Sequence, residues 1–86
     1  MYVIMVYDIN VERVVKVLKT ARKYLTWVQN SVLEGEITEA NFMMLKDELN
    51  TIIGEGDSVT FYILRTTSYM KKETLGTVKG EPTIIL

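Results

Sequence analysis

The chain has no cysteine and no histidine among its 86 residues. The first absence removes disulfides and thiolate metal sites. The second removes the usual general base, the commonest zinc ligand and every Ser-His or Cys-His catalytic pairing. Any chemistry therefore falls to carboxylates, lysines, tyrosines, backbone groups or a hard metal ion held by oxygen. Proline occurs once and glycine five times, and there are no repeats, linkers or low-complexity tracts. No apolar run approaches the roughly 20 residues of a membrane span, and no basic n-region or cleavage site opens the chain. The expectation is a cytoplasmic protein with no membrane partner.

What is present is an ordinary globular composition, 48% hydrophobic and 24% charged. A chain this short makes one domain over residues 1–86. Its stability alone is marginal, which makes oligomerisation a natural remedy. The net charge of −1 gives no global reason to expect nucleic acid. The sign is uneven, however: residues 11–23 hold five basic side chains and one acid, and residues 34–57 hold seven acids and one lysine. A local basic face permits polyanion binding in a protein that is acidic overall.

Residues 2–7, "YVIMVY", read as a buried strand rich in β-branched and aromatic types. Asn10 is the cap candidate for a helix over 11–23, in which Val11, Val14, Val17, Leu18 and Ala21 share one half and Arg13, Lys16, Lys19 and Lys23 the other. The stretch 24–37 reads as one bent strand or two short ones, kinked at Gln29-Asn30-Ser31, with Gly35 as a bulge or second turn. Thr38 caps a second helix over 39–52, where Phe42, Leu45, Leu49 and Ile52 recur at helical spacing. Gly54-Glu55-Gly56-Asp57 breaks that helix, and residues 58–65, "SVTFYILR", form the last strong strand.

This order predicts an α+β, ferredoxin-like βαββαβ domain, with the first and last strong strands in the middle of the sheet. Residues 66–86 are polar until the terminal "TIIL". That segment needs cover, and the reading favoured here pairs it as an extra C-terminal strand across a homodimer.

Asp8 ends the first strand. The plain reading makes it a turn residue that accepts backbone N–H bonds. The functional reading rests on its address, since ligands gather at the carboxyl ends of central strands. One Asp is too few for a divalent cation, but two brought together by a twofold suffice for Mg²⁺ or Mn²⁺ completed by waters and phosphate oxygens. Such an ion generates hydroxide and neutralises phosphodiester charge. A basic stripe opposite an apolar one is most often just a solvated face, and Tyr24 and Trp27 at a strand start are more often packing than base-stacking groups.

"VYDI" ending the first strand, Arg13 after it, "QNSVLEG" at 29–35, "SVTFYIL" and a short apolar terminal strand together resemble the small CRISPR-associated adaptation protein of the Cas-two family. The likeness spans essentially the whole chain. It implies a ferredoxin-like homodimer that serves as the central dimer of the spacer-acquisition complex, partnered by the Cas-one integrase and holding duplex DNA by its backbone. It also implies a Mg²⁺-dependent endonuclease acting on single-stranded RNA or duplex DNA, with Asp8 as catalytic residue and metal ligand. Under the resemblance the nucleic-acid-binding set is Tyr7, Arg13, Lys16, Lys19, Lys23 and Ser31, with Tyr7 orienting or packing beside Asp8 and Ser31 near the metal region. Leu33 stands where the family often has an aromatic. The nearest alternative is a stand-alone toxin-like endoribonuclease of the virulence-associated protein D type. A metabolite-binding regulatory domain on the same fold has less need of a one-sided basic helix.

Overall fold

Residues 1–66 and 69–77 are described by the computed structural model. The first strand, β1 (Tyr2–Asp8), buries every second residue: Val3, Met5 and Tyr7 turn to the core, and Tyr2, Ile4, Val6 and Asp8 to the other face. The helix α1 (Val11–Ala21) begins at Asn10, whose side chain accepts the Glu12 N–H at 3.1 Å. Two short strands follow, β2 (Thr26–Gln29) and β3 (Val32–Glu36), so the polar triplet does separate two strands. The helix α2 (Glu39–Ile52) is capped by Thr38, whose hydroxyl accepts the Asn41 N–H. The strands β4 (Ser58–Thr66) and β5 (Tyr69–Gly76) complete the chain's described elements.

The sheet runs β2-β3-β1-β4-β5 with antiparallel neighbours throughout. Its first four strands have the predicted ferredoxin-like arrangement, and β1 lies at the centre. Both helices cover one face. Val17 and Ala21 of α1 and Phe42, Leu45 and Leu49 of α2 meet Val3, Met5, Leu33, Val59, Phe61 and Ile63 in one buried cluster. Phe42 and Phe61 pack edge to face with centroids 5.0 Å apart. Phe61→Ala removes the sheet's half of that pair, and chemical denaturation is expected to register a loss of about 3–5 kcal/mol. No helix of the described residues is long and apolar enough to cross a membrane.

The structure departs from the expected elements in several places. Residues 69–76 are not merely polar extension: they form β5, which pairs with β4 of the same chain. The terminal "TIIL" and its pairing across a twofold lie outside the described residues. Gly35 is neither bulge nor turn but pairs in register with Val3, and the irregularity falls in β2 between Trp27 and Gln29. The first helix stops at Ala21, and Val11 is 83% exposed. The buried arc of α1 is centred on Val14, Val17 and Ala21, which leaves Val11 on its outer flank and brings Arg13 onto the inner one.

Two glycines are required where they stand. Gly56 takes φ +85° in the tight turn closed by the Asp57 N–H on the Gly54 carbonyl. Gly76 takes φ +89°, and a Cβ there would fall 2.1 Å from the Asp57 carbonyl oxygen.

Candidate active site at the end of the first strand

Where β1 ends, three segments converge. Asp8 stands opposite Ser58, the first residue of β4. On the other side β3 begins only at Val32, so the Asn30-Ser31 turn lies against Tyr7: the Tyr7 N–H donates to the Ser31 carbonyl at 3.1 Å, and its hydroxyl to the Asn30 carbonyl at 2.8 Å. Asp8 itself is exposed and belongs to the helix-free face of the sheet. That face also holds Ile4, Val6, Val32, Tyr62 and Leu64, all half-buried.

The structure places Tyr7 apart from the exposed residues of the nucleic-acid set. The ring is 8% exposed and turned into the helix-covered core, away from the face of Asp8. Burial raises its hydroxyl pKa. Tyr7 thus fastens the β2–β3 turn, and with it Ser31, beside Asp8.

Arg13 is also placed differently from its assignment. Its Nε donates to Asp57 Oδ2 at 2.6 Å and its Nη2 to Asp57 Oδ1 at 3.2 Å. Asp57 is 1% exposed, and it accepts two further bonds, from the Asn10 and Gly54 N–H groups, each at 2.8 Å. The Arg13 guanidinium first, and these backbone donors after it, hold the Asp57 carboxyl well below the usual carboxylate range against the opposing effect of burial. Arg13 is a buried-side anchor, not part of the solvent-facing stripe. Sequence reasoning missed Asp57, which looked like one more residue of a Gly-rich breaker.

The rest of the predicted stripe divides. Lys16 and Lys19 are exposed and form no salt bridge among the described residues. Lys23 pairs with Glu48 on α2, which also accepts the Tyr24 hydroxyl. Those two bonds lower the Glu48 pKa, Lys23 contributing more. Trp27 braces the same turn that Tyr7 holds, donating from Nε1 to the Gln29 and Asn30 carbonyls at 3.1 Å, and the Arg22 guanidinium lies over its ring at 5.6 Å. Trp27 is nonetheless 46% exposed, so these contacts brace the turn without burying the ring.

Among the described residues, no three of His, Cys, Asp and Glu gather to hold a metal ion. Asp57, the residue before the ladder partner of Asp8, is committed to Arg13. On the strand itself the exposed carboxylate at this end is Asp8.

A family model described as "CRISPR associated protein Cas2" matches residues 1–72. The chain belongs to the Cas2 family. It is similar to proteins named CRISPR-associated endoribonuclease Cas2 from Dictyoglomus turgidum, 63% identical over 100% of both chains, and from Thermotoga maritima, 56% identical over 94% of both. A solved structure described as a crystal structure of cas2 has a TM-score of 0.76 at 43% identity, covering 100% of this chain and 98% of that one. Streptococcus pyogenes Cas2 has a TM-score of 0.67 at 41% identity, covering 74% and 86%. In this Cas2-family chain Leu33 is fully buried opposite Met5 and belongs to the core.

Proposed function

We propose that the chain works in CRISPR spacer acquisition as a homodimer that holds duplex DNA by its backbone beside the Cas-one integrase. In this reading a Mg²⁺ or Mn²⁺ ion between two Asp8 carboxylates serves phosphodiester hydrolysis. One observation above all supports it: Asp8, the exposed carboxylate at the end of the central strand, shares its face with an apolar row of Ile4, Val6 and Tyr62. A second copy packed on that face buries the row and brings two carboxylates toward one axis. The donor set fits a hard cation, since Mg²⁺ accepts one or two carboxylates and keeps several waters. When bound, the ion supplies an activated water and neutralises phosphate charge. The chain's own part is to hold Asp8 at the strand end, to fix Ser31 and the turn beside it through Tyr7 and Trp27, and to offer phosphates Lys16 and Lys19. The relatives' name, endoribonuclease, favours RNA as the cleaved substrate.

Duplex binding tests the DNA half of this reading. When Lys16 and Lys19 are changed to alanine, the slope of log affinity against log salt is expected to become shallower, by about 0.9 for each phosphate these lysines neutralise. An unchanged slope contradicts the assignment of both lysines. Sedimentation at micromolar concentration reads the homodimer in the same samples, and a monomer there removes the shared-ion geometry.

A further inference from the structure

Asp57 is bonded on every side, and its partners bracket Asp8. Oδ1 accepts the Asn10 N–H and Arg13 Nη2, and Oδ2 accepts the Gly54 N–H and Arg13 Nε. Asn10 lies two residues beyond Asp8, at the start of α1, so the bond fixes the far end of the β1–α1 turn. Ser58, the neighbour of Asp57, is the residue paired across the ladder with Asp8. The carbonyl of Asp57 accepts the Thr77 N–H at 2.8 Å, which fastens the end of β5 to this point. Asp8 is thus held through its own chain and through its ladder partner by one buried side chain.

We propose that Asp57 is a positioning residue for Asp8, and that Arg13 serves this pin and not a phosphate. The proposal deepens the Asp8 reading and rests on it. The physical need is plain: a carboxylate that shares an ion with a second copy must be placed to within a fraction of an ångström, and a strand end followed by a turn is where the backbone is least constrained. Four donors on two buried oxygens leave the turn a single arrangement. An amide at position 57 cannot substitute. Its NH₂ group would face either the Gly54 or the Asn10 N–H, donor against donor.

The test compares Asp57→Asn and Arg13→Gln with the wild-type chain, at a temperature where each variant keeps the wild-type circular dichroism. Cleavage is followed against Mn²⁺ concentration, duplex binding against salt, and backbone amides by hydrogen exchange. In Asp57→Asn the half-saturating Mn²⁺ is expected to rise by about 10–100-fold, the usual loss when a group supporting a ligand is removed. A reduced folded fraction would lower the rate and leave that concentration unmoved. Exchange at Asn10 and Gly54 quickens by more than at the core amides of Val3 and Met5, whose exchange follows global stability alone. Arg13→Gln quickens the same amides and leaves the salt slope of duplex binding unchanged. Unmoved Asn10 exchange overturns the proposal, and so does a slope shallower by about 0.9 or more in Arg13→Gln, the mark of a phosphate neutralised by Arg13. A wild type that does not cleave removes the Asp8 reading instead. In that case Asn10 exchange and the Arg13→Gln slope still decide whether Asp57 pins the turn.

Discussion

Asp8→Asn is expected to abolish metal-dependent cleavage of single-stranded RNA or duplex DNA, by at least about a hundredfold, with duplex affinity kept. The substitution preserves the shape of the side chain, removes its charge and replaces one acceptor oxygen by an NH₂ donor. Since Asp8 is exposed at a strand end, the change costs little packing. Bound metal contributes several kcal/mol to a phosphodiester transition state, and a hundredfold corresponds to about 3 kcal/mol. The phosphate-binding role assigned to Lys16 and Lys19 lies on α1, outside the residue changed, so binding and its salt slope stay as they were. Cleavage that persists in Asp8→Asn would return Asp8 to the role of a turn residue and leave duplex binding as the chain's contribution. Cleavage and binding that disappear together would mean that Asp8 shapes the surface instead of the chemistry.

Asp57→Ala is expected to be the most destabilising single change among the polar residues. Removing one partner of a buried pair costs up to about 3–5 kcal/mol. The lower end applies because Arg13 keeps 26% of its side chain in solvent and can recover hydration. About 3 kcal/mol in a domain of this size lowers the melting temperature by roughly 10–20 °C. The pH dependence has a definite sign. The Asp57 carboxyl titrates lower in the folded chain than in the unfolded one, so its stabilisation is complete above the ordinary Asp value of about 3.9 and fades as the pH falls below it. Melting curves at pH 7 and in the acid range below about pH 4 check this. The wild type loses stability on acidification, the variant loses less, and the gap between them narrows. A gap that is equal at both values would show that the ionised carboxylate contributes nothing beyond its packing.

The sheet's centre and both helices were legible in the sequence because burial there is simple. β1 is central and has apolar residues on both faces, so it reads as one continuous run. Phe42, Leu45 and Leu49 repeat at the spacing of a helix that covers one face of a sheet. β5 was not legible. Its Lys71, Lys72 and Glu73 read as loop, yet these residues pair across to Ile63, Tyr62 and Phe61 at the sheet's margin, and Glu73 meets Lys46 of α2 at 3.0 Å. Polar composition at an edge conceals a strand.

At the site, the address of Asp8 was readable from strand and turn chemistry, whereas the faces of its neighbours were not. Tyr7 and Asp8 are adjacent in sequence and point to opposite sides of the sheet, one into the core and one out. Arg13 looked like the first of a row of solvent cations because its partner lies 44 residues away. A pair that distant leaves no periodic trace, and only the packing of the α2–β4 turn against the start of α1 brings it together. A lone Asp after Gly-Glu-Gly was the available signal, and it is too common in turns to have singled Asp57 out.

The most direct measurement is the stoichiometry of Mn²⁺ binding, by calorimetry or electron paramagnetic resonance, for wild type and Asp8→Asn. Two carboxylates sharing one ion predict one Mn²⁺ for every two chains, abolished in the variant. One ion per chain, or binding that survives Asp8→Asn, would contradict the shared site.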